Sequence, residues 1–174
     1  MRKITTYEIA LSALSCALVT ICLTIGVYSE ILLFSGYLFG SIALMIPLAK
    51  RSVRGYVLAY AASCILSTIF AVARFWEILP FIVFFGLYPL VNECQLKIKI
   101  NRWVALAIKT LWFDGAMLLV WWLVFQMSAP IEGLENFAIP IIVVAGSLFF
   151  FAYDYCMFRW RILVNRLIAR IIKK

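Results

Sequence analysis

Residues 32–73 read LLFSGYLFGSIALMIPLAKRSVRGYVLAYAASCILSTIFAVA: an almost wholly apolar run, a short turn carrying Lys50, Arg51 and Arg54, and a second apolar run. Each run approaches the roughly 20 residues a helix needs to cross a hydrocarbon core. The alternation continues in both directions. Arg2 and Lys3 precede the first apolar run, Lys97, Lys99 and Arg102 separate two later ones, and a tail carries Arg159, Arg161, Arg166, Arg170, Lys173 and Lys174. The gaps between hold Glu30, Glu77, Glu132 and Glu135, with Arg74 as their only cation. All but Arg74 and Lys109 of the 16 Lys and Arg residues thus fall in alternate gaps. Short loops rich in Lys and Arg stay cytoplasmic. The pattern therefore predicts an even number of crossings with both termini cytoplasmic.

Composition agrees. With 66% hydrophobic and 14% charged residues, a soluble domain of 174 residues would have more apolar side chain than it could cover, whereas a bilayer accepts that surface directly. After the loops are set aside, the length accommodates roughly six spans in a single transmembrane domain, 1–174, with no separate soluble part. The first apolar run, from Thr6 to Val27, is too long for the hydrophobic region of a typical signal peptide, and no small-residue cleavage site follows it. Histidine is absent, which removes His-based acid–base chemistry and the common zinc sites. Cys16, Cys22, Cys64, Cys94 and Cys156 are scattered among the apolar runs without disulfide or metal spacing and read as packing residues. No catalytic residue, metal or cofactor is called for. The net charge of +8 sits beside the membrane rather than on a nucleic-acid face.

The expected fold is an all-α integral membrane protein: a compact bundle of six transmembrane helices at about 6–27, 30–49, 55–73, 78–95, 103–127 and 137–158, with an amphipathic C-terminal extension over 159–174. In the first helix Ala10, Ala13 and Ala17 place small residues on one side, Ala13-x-x-x-Ala17 forming a pair that lets another helix approach closely. On spacing alone, a contact with another helix of the same chain is the expected use of the pair. Gly36-x-x-x-Gly40 in the second helix, and Ala59, Ser63 and Ser67 in the third, mark further close crossings. In the fourth, Pro89 lacks an N–H and crowds the preceding turn, so a kink is expected near Gly86. The tail alternates apolar pairs with basic residues, a pattern suited to the inner leaflet or to a partner.

Ionisable residues inside spans need partners or wet cavities, because each costs about 2.5–3.5 kcal/mol on insertion scales. Counted from the cation-rich ends at about 1.5 Å per residue, Lys109 lies roughly 10 Å deep and Glu93 and Asp154 roughly 5 Å deep, close enough to form one cluster across three helices. Asp114, at about 17 Å, is deeper and too far round its helix to pair with Lys109. At the opposite ends, Glu30, Arg74, Trp76, Glu77, Trp121, Trp122 and Gln126 are candidates for binding a small ring-containing ligand, since aromatic walls with a few polar groups suit one. The tryptophans also suit interfacial anchoring, and Arg74 also suits an ion pair with Glu77 three residues on.

Six helices in this length, cytoplasmic termini and a first helix bearing Ala13-x-x-x-Ala17 resemble the substrate-binding membrane subunits, or S-components, of energy-coupling factor (ECF) transporters. The resemblance implies a protein of the cell membrane that captures a vitamin or related micronutrient from the outer side. It further implies docking through the small-residue face of the first helix, here Ala10, Ala13 and Ala17, onto a transmembrane coupling subunit that carries two cytoplasmic ATPases. The chain has no Walker sequence or glycine-rich phosphate loop, so ATP-driven transport must borrow its motor. Two other classes share the size and helix count: a small proton- or cation-coupled carrier using Asp114, and a membrane scaffold of the rod-shape-determining type.

Overall fold

The computed structural model of the chain describes residues 5–29, 31–50, 52–98, 101–127 and 135–172, with the backbone alone described at 125–127, 135–139, 141–142 and 171–172. Helix α1 spans Thr6–Ser29, α2 Leu33–Ala49 and α3 Val53–Phe70; a 3-10 stretch, Val72–Ile78, leads to a π-helical segment, Phe81–Phe85, and then come α4 (Tyr88–Ile98), α5 (Arg102–Met127) and α6 (Glu135–Ile172). No strand occurs among the described residues. Thr6–Ser29, Val53–Phe70, Phe81–Ile98 and Arg102–Val124 are each long and apolar enough to cross a membrane, and α2 is a shorter apolar helix. Ile21, Ile25, Ile65, Ile69, Leu111 and Leu148 are each more than half exposed. Side chains of this kind, turned outward on several helices, suit hydrocarbon and not water. The protein is an all-α, multi-pass membrane protein.

Local chemistry sets the helix ends. Thr5 and Glu8 form a capping box: Thr5 N–H donates to Glu8 Oε2 at 2.9 Å and Glu8 N–H to Thr5 Oγ1 at 3.3 Å. Ser52 caps α3 by accepting from Gly55 N–H at 3.3 Å. Asn101 Oδ1 accepts from Trp103 N–H at 3.2 Å as α5 begins.

Helices α1, α2 and α3 cross closely where the sequence is small. A Cβ on Gly36 would lie 2.7 Å from the Cys22 carbonyl oxygen and 3.2 Å from Gly26 Cα, so only glycine lets these backbones meet. The Ala59–Ser63–Ser67 stripe of α3 is buried, and Gly55 receives the Ser12 side chain of α1.

Pro47 and Pro89 each free a carbonyl, and each is met by a hydroxyl from a neighbouring helix. Pro47 has no N–H for the Ala43 carbonyl, and Ser15 Oγ donates to that oxygen at 2.8 Å. Pro89 has none for Phe85, and Ser41 Oγ donates there at 2.8 Å. The expected kink at Gly86 is present as the π segment and a turn. Gly86 N–H bonds Phe81 O rather than Ile82 O, and Leu90 N–H bonds Leu87 O rather than Gly86 O. Tyr60 Oη donates to the freed Ile82 carbonyl at 2.6 Å, and Tyr56 Oη to that of Gly86. Neighbouring side chains thereby satisfy these four carbonyls, as lipid requires of backbone polar groups. The kinked segment drives Phe84, Phe85 and Tyr88 into the core against Phe113, Phe150 and Tyr153.

The largest departure from the expected element boundaries is at the C-terminal end. No break separates the sixth apolar run from the basic tail: α6 runs 38 residues, roughly 57 Å, about twice a hydrocarbon thickness. Tyr153, Met157, Val164 and Ile168 are buried at spacings of four, seven and four, one continuous stripe along the helix. The stripe carries residues 164–168 past the apolar span and onto α1 and α2, where they close an apolar groove with Leu11, Ile42 and Ile46.

Candidate functional site

One polar cluster centres on Lys109, which α5 places 5% exposed opposite α4 and α6. Its Nζ donates to Asn92 Oδ1 at 3.0 Å and to Asp154 Oδ1 at 3.3 Å, and lies 5.1 Å from the centre of the Tyr88 ring. Tyr88 Oη donates to the same Asp154 oxygen. Tyr88 and Asn92 depend on the kink. Tyr88 and Asn92 lie one turn apart on α4 immediately after the π segment, so they face α5 and α6 together.

Lys109 and Asp154 meet as the depth count expects, but Glu93 does not join them. It follows Asn92 by one residue, about 100° round the helix, and faces α2 and the lower part of α6. There Arg161 holds it, with Nη2 at 2.5 Å and Nε at 3.1 Å from Glu93 Oε2. Arg161 lies two turns beyond Asp154 on the same side of α6, a relation that exists only because the helix continues through the expected boundary. Asp114 stands apart, as its depth implies: Ser147 Oγ donates to its Oδ2 at 3.1 Å, while Oδ1 is buried with no hydrogen-bond partner.

A cavity of about 340 Å³ opens beside Lys109, walled by Asn92, Gln95, Arg102, Leu106 and Asp154 among others. Gln95 Oε1 is buried there without a partner. Tyr88, Asn92 and Gln95 are participants that composition does not single out. The 17-residue separation of Asn92 on α4 from Lys109 on α5 carries no sequence signal, because their meeting depends on the π segment.

At the other end of the bundle, Arg74 and Glu77 approach to 3.8 Å within the 3-10 stretch, and Arg74 Nη1 also donates to the Val27 carbonyl at 3.3 Å. Glu77 Oε2 is buried without a hydrogen-bond partner, and Tyr37 Oη donates to the Glu77 backbone carbonyl. Trp76 is 37% exposed beside Phe75. Trp121 is half-buried and Trp122 exposed on α5. Glu30 and the Gln126 side chain lie outside the described residues.

On α1, Ala10, Ala13 and Ala17 are all exposed, while Ser12, Ser15, Val19 and Leu23 form the buried side that packs on α2 and α3. The small-residue pair therefore takes no part in the internal crossings, which use Gly26, Gly36 and the α3 stripe instead. Comparison with models of protein families, with curated proteins and with solved structures finds no match for this chain.

Proposed function

We propose that the protein is the substrate-capture subunit, or S-component, of an ECF-type importer of micronutrients, lying in the cell membrane as six spans with both termini cytoplasmic. In this role it takes a small molecule at the end bearing Arg74, Trp76 and Glu77. It docks on a transmembrane coupling subunit served by two cytoplasmic ATPases.

The observation that carries the proposal is the outward direction of Ala10, Ala13 and Ala17. Small residues on a membrane helix permit close backbone approach. Here the described helices of the chain leave that approach unused, and a helix from another subunit can take it. Glu77, with one carboxylate oxygen buried and unpaired, supplies a polar group at the ligand end.

Co-expression with an ECF coupling subunit and its ATPases, followed by affinity purification, tests the assignment. The unaltered chain should copurify with all three, and an Ala13→Leu/Ala17→Leu variant should lose them while keeping its own thermal stability, because both positions are exposed. Assembly that survives the double substitution refutes the docking role. A proton-coupled carrier is the competing function, and it draws on the unpaired Asp114 Oδ1; full uptake by an Asp114→Asn variant removes it.

A further inference from the structure

The cavity beside Lys109 adjoins a second of about 380 Å³, and the two share Arg102, Leu106 and Asp154. The first runs inward to Asn92, Gln95 and Lys109. The second runs outward past Trp103, Phe151 and Tyr155, which are 77%, 46% and 56% exposed on the surface of α5 and α6. The chamber beside Lys109 thus continues into an aromatic-flanked trough, with Arg102 at the junction.

The chamber carries excess positive charge. Arg102 and Lys109 share it with one carboxylate, Asp154, whose Oδ1 is already engaged by Tyr88 and Lys109. Arg102 and Lys109 line the same cavity, where their like charges repel. An anion between the α5 and α6 walls would relieve that repulsion, and a guanidinium fork matches two oxygens of a phosphate. Gln95 Oε1, buried and unpaired, lacks a donor that a hydroxyl on the same ligand would supply. Beyond the phosphate, Trp103, Phe151 and Tyr155 offer a surface on which acyl chains can lie, and Trp is favoured at the level of lipid headgroups.

We propose that the joined cavities form a site for one anionic phospholipid with a hydroxyl-bearing headgroup, its phosphodiester on Arg102, its headgroup reaching toward Gln95 and its chains leaving past Trp103 and Phe151. Basic pockets between membrane helices hold anionic headgroups in this manner. The site is independent of any coupling subunit and of the substrate end.

The full chain, purified in neutral detergent with phosphatidylcholine, is titrated with phosphatidylglycerol, and bound lipid is counted by native mass spectrometry beside a thermal-shift measurement. One phosphatidylglycerol should be retained in preference to phosphatidylcholine, with a rise in melting temperature. Arg102→Gln, a change at an exposed residue, should weaken retention about tenfold, the scale of one charge-assisted hydrogen bond. Arg170→Gln, an exposed change elsewhere on α6, should change it less than about twofold on the same scale. Absence of preference for phosphatidylglycerol, or equal weakening by both substitutions, overturns the site. If soluble glycerol 3-phosphate gives the same shift as the lipid, the ligand is a water-soluble phosphate ester and the lipid assignment is wrong.

Discussion

Replacing Ser15 with alanine removes one hydroxyl whose loss Pro47 magnifies. Ser15 is fully buried, and its Oγ lies 2.8 Å from the Ala43 carbonyl oxygen. In an ordinary helix that oxygen accepts from the N–H of residue 47, and proline has none. Ser15→Ala therefore leaves a buried carbonyl without its donor. Such a group costs roughly 1–3 kcal/mol, while interhelical hydrogen bonds in membranes average about 0.6 and reach about 1.7 kcal/mol. The expected loss is about 1–1.5 kcal/mol. Pro47→Ala restores an N–H at position 47, so Ser15→Ala in that background should cost only a few tenths of a kcal/mol, giving a coupling of about 1 kcal/mol. Alanine at 47 also removes the ring's remaining carbons, but that change is present on both sides of the cycle and cancels. Unfolding of the purified chain in mixed micelles, driven by increasing dodecyl sulfate fraction, measures all four proteins. Equal cost of Ser15→Ala with proline or alanine at 47 refutes the hydroxyl-for-amide exchange.

The same assay tests two further features. Lys109→Leu strands Asp154 in the core and should cost about 3–5 kcal/mol, whereas Lys109→Leu/Asp154→Leu should recover most of it, since removing both charges also removes their desolvation penalty; a double variant no more stable than the single one contradicts the pairing. Gly36→Ala sets a Cβ 2.7 Å from a backbone oxygen of α1 and should cost about 1–3 kcal/mol, while Gly115→Ala meets nothing within 4 Å and should stabilise α5 by up to about 1 kcal/mol. Similar effects at the two glycines would show that α1 and α2 are not in backbone contact at Gly36.

The glycines, the α3 stripe and Pro89 announced their crossings and the kink because each acts through its own backbone, whatever surrounds it. Lys109 and Asp154 were legible as partners because depth along a span follows from counting residues. Glu93 was misassigned because depth does not give azimuth: adjacent residues on a helix face different neighbours, and the choice between Lys109 and Arg161 depends on where α6 goes. The continuous α6 was obscured by the rise in charge after Phe158, although the buried stripe through Met157, Val164 and Ile168 keeps its period across that point.

Apolar run length and the placement of Lys and Arg were by themselves enough to determine a helical, multi-pass membrane protein, since the transfer of side chains to lipid is a local property of each segment. Which side of α1 stays bare, which hydroxyl answers Pro47 and Pro89, and which cation holds Glu93 and Asp154 were decided only by tertiary structure. Those outcomes depend on the azimuth and crossing of helices distant in sequence, and packing sets both. The exposed Ala10, Ala13 and Ala17 belong to that second group: small residues permit a crossing, and only the folded bundle shows which crossings remain unfilled.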